Sequence, residues 1–308
     1  MKKIKKKGDN KIFSDDEDKD SDEEEVIEDI KDQIEELENV QSSFSDFFGT
    51  LFDTHKNLSL EIVEKLIKEY LPKYFSDNSS TFEKKLGVLI IDDMIEFLQQ
   101  NLIGNIWKDL FQILVKYSIE KDYELRNASA YGLGIFSRFT TQNFKEYEKD
   151  LLNAINNAMT FPSDVPKEEK DNMKFARDNA VSALGKVIKY HGAECDNLQE
   201  LINLWVNNLP ITEDHEEARL NHKFLMEILK QDSTKILGTN FENLNKVILI
   251  VSKIYNTDNS DDDIDKDIKE IAKNIKQNEQ FKNILDQTLN NAKKGKTTNR
   301  IKDLFYKD

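Results

Sequence analysis

From about residue 22 onward, apolar residues recur at intervals of three and four almost without interruption, which restricts the chain to packed amphipathic helices. Val63, Leu66, Ile67, Tyr70, Leu71 and Tyr74 trace one buried helix face. Leu198, Leu201, Ile202, Trp205, Val206 and Leu209 repeat it, as do Phe241, Leu244, Val247, Ile248, Val251 and Ile254. Ile264, Ile268, Ile271 and Ile275 form a narrower stripe, suited to a helix near the end of an array. No segment sustains period-two alternation with β-branched enrichment, so no sheet is expected.

The spacing predicts helices over 22–54, 58–75, 80–100, 102–119, 122–140, 143–159, 167–190, 194–208, 213–231, 240–255, 262–275 and 278–291. Breakers fall between them: Pro72 near a helix end, Pro162 and Pro166 in a loop, Pro210 after Leu209, Gly238 before Phe241. Every second helix starts 42 to 49 residues after the last, at 80, 122, 167, 213 and 262. Two-helix repeats of HEAT or armadillo type have a period of about 40–47 residues. The expected fold is therefore all-α, an α-α superhelix: a HEAT/armadillo-like solenoid of five to six helix pairs over 22–291. Residues 1–21, made of two charge blocks, are expected to be a disordered tail and 292–308 a flexible one.

Two segments repeat more than a period. LRNASAYGLG (125–134) and ARDNAVSALG (176–185) each carry an Arg followed seven and eight residues later by Leu-Gly. Gly134 and Gly185 are read as structural positions where small side chains let helix axes approach, since Gly inside a helix otherwise costs about 1 kcal/mol against Ala. Arg126 and Arg177 are expected to pair with acidic groups in adjacent repeats.

Charge narrows the function. The 308 residues hold 44 Lys+Arg against 59 Asp+Glu, a net charge of −15. Residues 1–25 account for seven Lys and ten Asp+Glu, so most of the excess lies on the later chain. Such a balance argues against a binder of nucleic-acid phosphates. The single Cys195 cannot form an internal disulfide or a Cys-rich zinc site. No apolar run is long enough to insert into a membrane, and the basic start lacks an apolar core behind it, so a soluble, reduced chain of cytosol or nucleus is expected. Lys2, Lys3, Lys5, Lys6 and Lys7 read as solvated tail, with a localisation signal or pairing to the acidic run at 15–25 as alternatives. Ser14 and Ser21, followed by acidic residues, suit an acidophilic kinase.

Nothing in the sequence supports catalysis. His215 and His222 are seven apart but lack a third ligand, and are expected to be exposed helix histidines rather than a metal site. Cys195 and His191 lack an orienting third residue. Asp16, Asp18 and Asp20 and again Asp261, Asp263 and Asp265 have the spacing of a calcium loop, but Ser21 and Lys266 replace its Gly, and Ile27 and Ala272 its final Glu. No phosphate-binding glycine loop is present. No enzyme activity, cofactor or metal is expected, and Trp107 and Trp205 are expected in the core.

LGVLIIDDMIEFL (86–98), ELRNASAYGLGIFSRF (124–139), SALGKVIKY (182–190), LWVNNLPITEDHEEA (204–218) and ILGTNFENLNKVI (236–248) resemble, in order, the C-terminal HEAT repeats of importin-β-type nuclear transport receptors. Within that karyopherin family the sequence is most similar to the importin five, or Ran-binding-protein-five, type. The resemblance covers about 22–275 and implies a receptor that shuttles between cytoplasm and nucleus, binding basic protein cargo and the Phe-Gly repeats of nucleoporins. The N-terminal repeats that carry the main Ran-GTP site in that family have no counterpart here, so Ran-GTP is a candidate partner whose main site is expected to be absent. The chain is expected to be either a fragment, with Met1 at an internal point of a longer parent, or a split or truncated gene product. Asp92, Asp93 and Glu96, with Glu213, Asp214, Glu216 and Glu217, are the candidate cargo-binding residues. The later group also suits a helix first turn, where a carboxylate gains about 0.3–1 kcal/mol from the dipole. Asp92 and Asp93 lie mid-helix, where that account fails. The rival reading is a HEAT-repeat scaffold or regulatory subunit without a transport role.

Overall fold

The computed structural model describes residues 16–99, 102, 105–140, 144–292 and 295–306, all of them in helices, turns or loops with no strand among them. The Lys2–Lys7 cluster and Ser14 lie outside the described residues. The chain divides into two units, residues 1–48 and 49–308.

The first unit consists, among described residues, of most of one long helix, α1 (Asp16–His55). The described part of this helix begins at Asp16, and the rest of the expected tail, residues 1–15, lies outside the described residues.

The second unit is an all-α helical-repeat solenoid. After the last turn of α1 and a 3₁₀ turn at Lys56–Ser59 come α2 (Leu60–Lys65), a π-helical turn at Leu66–Tyr70 and α3 (Leu71–Tyr74). The single helix expected over 58–75 is thus interrupted, and Pro72 supplies the reason. Proline has no N–H to continue the ladder and its ring crowds the preceding turn, which a π-helical turn relieves.

Five helix pairs follow: α4 (Thr81–Asp93, prolonged by a π-helical turn at Met94–Leu98) with α5 (Asn105–Tyr117), α6 (Tyr123–Phe139) with α7 (Phe144–Ala158), α8 (Lys170–His191) with α9 (Leu198–Asn208), α10 (His215–Gln231) with the short α11 (Thr234–Leu237) and α12 (Leu244–Ile254), and α13 (Asp262–Gln277) with α14 (Glu279–Asn291). Helices α4, α6, α8, α10 and α13 pack successively into one layer, and their partners lie in the other. The stripes read from the sequence are the core. Ile202, Trp205 and Val206 of α9, Val247, Ile248 and Val251 of α12, and all four isoleucines of the α13 stripe are buried. Trp107 is half-buried, edge-on to Phe136 at 5.3 Å.

Acidic and hydroxyl residues start these helices in a repeating way. Ser80 and Glu83 form a reciprocal capping box at α4. Asp122, Asp214 and Asp261 accept backbone N–H groups at the starts of α6, α10 and α13. Each such cap contributes about 1 kcal/mol. Asp261 is therefore a helix cap rather than a calcium ligand.

The repeat-position residues are placed at the joints between helices. A Cβ at Gly134 would stand 3.2 Å from the backbone of Ala183, so the small pair sets how closely α6 approaches α8. A Cβ at Gly185 would collide with Asn221 and Trp205. The two arginines have a different partner from the one expected. Arg126 donates to the carbonyls of Asn157, Ala158 and Thr160 at 2.7, 3.0 and 2.5 Å, and Arg177 to that of Asn208. Each thus closes the C-terminus of the helix after its own, where unpaired carbonyls and the negative dipole end attract a cation. Arg177 does contact a carboxylate, but it is the neighbouring Asp178 of its own helix, at 2.9 Å. Arg126 also stacks over Phe161, with its guanidinium carbon 4.1 Å from the ring centroid.

Within the span expected as a flexible tail after 291, a short helix, α15 (Lys296–Phe305), packs on α12 and α13 and buries Ile301 and Phe305. Its two apolar anchors are four apart, the minimum helical signal, and too short a pattern to stand out among Lys and Thr.

Replacing Arg126 with Met keeps most of the apolar stem but leaves three carbonyls without their charged donor. The expected loss is about 1.5–3 kcal/mol, the range for hydrogen bonds to charged groups, measured as a lower urea midpoint at unchanged slope. Arg138→Met, on an exposed side chain of the same helix, serves as the control and leaves the midpoint in place.

Candidate functional site

The buried polar residues of the second unit are concentrated along the α4–α6–α8–α10 layer. Lys186 of α8 forms an ion pair with Glu217 of α10 at 2.8 Å, both side chains less than one-tenth exposed. Ser182 donates to the other oxygen of Glu217. Asn221 donates to Ser182 Oγ at 2.8 Å and to the Glu217 carbonyl at 2.9 Å, while Trp205 Nε1 donates to Asn221 Oδ1 at 3.0 Å. On the other side, Lys186 Nζ lies 5.0 Å from the centre of the Tyr131 ring, and Tyr131 donates to Glu96 at 3.2 Å. One connected set of side chains therefore links α4, α6, α8 and α10, the successive helices of this layer, and reaches α9 through Trp205.

Asp92 of α4 is buried beside this set, and neither of its oxygens has a hydrogen-bond partner among the described residues. Gly132 makes room for it: a Cβ there would overlap Asp92 Oδ1. Burial, then the nearby Asp93 and Glu96 charges, push the Asp92 carboxyl well above its usual range, with Lys186 opposing. Burial and the surrounding carboxylates raise the Tyr131 hydroxyl as well.

The candidate acidic residues consequently fall into two kinds. Asp92 and Glu217 are both buried, Glu217 paired with Lys186 and Asp92 without a hydrogen-bond partner among the described residues, which removes both from any set that meets a partner directly. Asp214 caps α10, accepting from Glu217 N at 3.0 Å and from Asn179 Nδ2 at 3.0 Å. Asp93, Glu96 and Glu213 are partly exposed and Glu216 exposed. Glu96 and Asp93 sit at the end of α4, Glu213 and Glu216 at the start of α10, and both helices belong to the same layer.

Asp178, which sequence reasoning passed over, plays a similar joining role. It accepts the backbone N–H groups of Thr212 and Glu213, each at 2.8 Å, fixing the loop that leads into α10. Burial raises its carboxyl, opposed by those two N–H groups and Arg177. The signal was its place next to Arg177 in the repeated segment.

The residues tested for catalysis are structural. His222 is fully buried rather than exposed, and its Nδ1 lies 2.8 Å from the Asn259 carbonyl. Burial lowers its pKa to about 4. His215 is exposed, with Nδ1 2.6 Å from Asn259 Oδ1. His191 is buried, stacked on Phe144 with ring centroids 4.0 Å apart. Cys195 is buried and its thiol pushed up to about 11 by burial and by Glu148, the reverse of an activated nucleophile. Among the described residues no group of three or more His, Cys, Asp or Glu could hold a metal ion, and no helix is long and apolar enough to cross a membrane.

Comparison with known proteins finds partial likenesses to importins. Over 167 residues, 54% of this chain, it is 26% identical to the probable importin-5 homolog of Dictyostelium discoideum. Over 115 residues, 37% of the chain, it is 22% identical to importin subunit beta-3 of Saccharomyces cerevisiae. The aligned parts make up 15% and 10% of those two proteins, so the chain spans a small share of the relatives it matches. No family model matches the chain. These partial likenesses support an importin-β/karyopherin-like family.

Two outcomes test the buried set. Lys186→Met strands the Glu217 carboxylate and is expected to cost about 3–5 kcal/mol, most of it recovered in Lys186→Met/Glu217→Leu, because removing both charges leaves none uncompensated. Urea unfolding of the two variants decides it.

The second outcome concerns pH. An acid whose pKa is raised on folding costs stability as pH rises above its unfolded value, near 3.8. A histidine held neutral does the opposite, costing stability as pH falls from about 6.5 to about 4. Asp92→Asn is therefore expected to raise the melting temperature at pH 7–8, with the gain shrinking toward pH 4. His222→Gln is expected to flatten the loss between pH 6.5 and 4. Thermal melts across that range check both.

Proposed function

We propose that this chain acts by binding rather than by chemistry, as a helical-repeat module of importin-β type that holds Lys/Arg-rich segments of protein cargo during passage between cytoplasm and nucleus. The partial likeness to two importins carries the reading, and the helical-repeat solenoid and the net charge of −15 agree with it. Asp93 and Glu96 from α4, with Glu213 and Glu216 from α10, are the carboxylates that would meet the cargo. The buried Lys186–Glu217 joint keeps α8 and α10 in register so that the two exposed groups remain on one layer. Attraction between exposed charges of this kind raises the association rate and fades with salt. Nucleoporin Phe-Gly repeats are a further proposed partner, whereas no Ran-GTP site is assigned to these helices.

Fluorescence anisotropy with a Lys/Arg-rich peptide at low and high salt tests the reading. Binding is expected at low salt, weakening severalfold in high salt and in Glu213→Gln/Glu216→Gln. Absence of binding, or binding indifferent to salt and to the substitutions, would overturn it. A chain that binds neither this peptide nor Phe-Gly peptides would fit the rival scaffold role.

A further inference from the structure

Half of the large apolar side chains left exposed among the described residues belong to one helix. Val26, Ile27, Ile30, Ile34, Leu37, Val40, Phe44 and Phe47, all on α1, are each about half exposed or more. They do not scatter. Ile27, Ile30, Ile34, Leu37 and Phe44 follow an alternating three-and-four spacing broken only by Gln41, and Val26, Val40 and Phe47 widen the row on one side. Twenty-two residues of helix extend about 33 Å at 1.5 Å per residue. A shallow groove of about 470 Å³ at its C-terminal half is bounded by Glu36, Asn39, Val40, Ser43, Phe44 and Phe47.

An apolar row with a 3.5-residue period is matched along its length by a second helix, whose side chains interlock at the same interval. The charge beside the row decides which helix. Residues 26–48 contain seven Asp/Glu against Lys31 alone. Asp29 and Glu36 lie along one border, and Glu28, Glu35 and Glu38 along the other. A second copy of this chain would bring these carboxylates face to face in either orientation, and like charges at such borders oppose pairing. An anionic lipid surface is disfavoured for the same reason, since interfacial helices carry Lys/Arg on their polar face. A helix with Lys or Arg beside its own apolar seam satisfies both features at once.

We propose that the exposed face of α1 is a docking surface for an amphipathic helix of another protein, its apolar seam bordered by Lys/Arg. Ile30, Ile34, Leu37 and Phe44 supply the buried contacts, while Glu28, Glu35, Glu36 and Glu38 select the partner's charge. This inference rests on α1 alone and not on the transport reading, which uses carboxylates of α4 and α10.

The probe is a synthetic helical peptide with Leu at its seam and Lys at the bordering positions, titrated against the full chain by anisotropy. A second peptide has the same seam with Glu at the borders. The Lys-bordered peptide is expected to bind at least tenfold more tightly, to bind less well as salt rises, and to lose at least tenfold with Ile34→Ser/Leu37→Ser. Circular dichroism confirms that this variant keeps its helix content. The peptide comparison in the unsubstituted chain stands even if the variant loses helix. Equal binding of the two peptides, or none by either, would overturn the proposal. So would a chain that sediments as a dimer through this face, or one that binds the peptide only after Lys2, Lys3, Lys5, Lys6 and Lys7 are changed to Gln. The first outcome gives the face to a second copy, and the last to the chain's own amino-terminal cluster.

Discussion

The close approach of α6 to α8 is the constraint on which the second unit depends. Gly134 against Ala183 brings the helices together, and the same closeness leaves Lys186 little room to reach solvent. A buried lysine is tolerable only with a partner, and Glu217 from the next helix supplies it. Ser182 then donates to the second oxygen of Glu217, Asn221 donates to Ser182, and Trp205 donates to Asn221. A packing requirement between two repeats thus becomes a polar link to a third. The arrangement fixes the order and register of helices that apolar contacts alone would hold less specifically.

Helix ends are treated in an equally repetitive way. Aspartates accept the free N–H groups at the starts of α6, α10 and α13, and arginines donate to the free carbonyls at the ends of α7 and α9. In a solenoid every repeat meets only its neighbours, so the same unsatisfied groups recur at each joint and the same residue types can answer them. The acidic excess is less evenly spread. Residues 26–48 alone carry seven of the carboxylates with a single lysine, so the charge that looked like a property of the whole array is densest on α1.

Most helices were legible because three-and-four spacing over ten or more residues has one structural meaning. The predicted span 122–140 became Tyr123–Phe139, and 262–275 became Asp262–Gln277. Two departures have local causes. Pro72 opened a π-helical turn that periodicity does not encode, and α15 carries only two buried anchors, too few to make a pattern. The candidate site was legible as a set of carboxylates but not as a set of roles. Asp92 and Glu217 look like Asp93 and Glu216 in the sequence, yet the first two are buried and the second two are open to solvent in part or in full.

The sequence by itself determined the class of fold, the two-helix period and the acidic balance, because these depend on spacing and composition summed over many residues. Only the tertiary structure decided which carboxylate is spent on a lysine, which one caps a helix and which faces outward. Burial and partnership depend on the element that packs above each residue, and that neighbour lies thirty to fifty residues away in the chain. The same holds for α1: its apolar row is plain in the sequence, but that the row remains exposed is a fact of the folded chain.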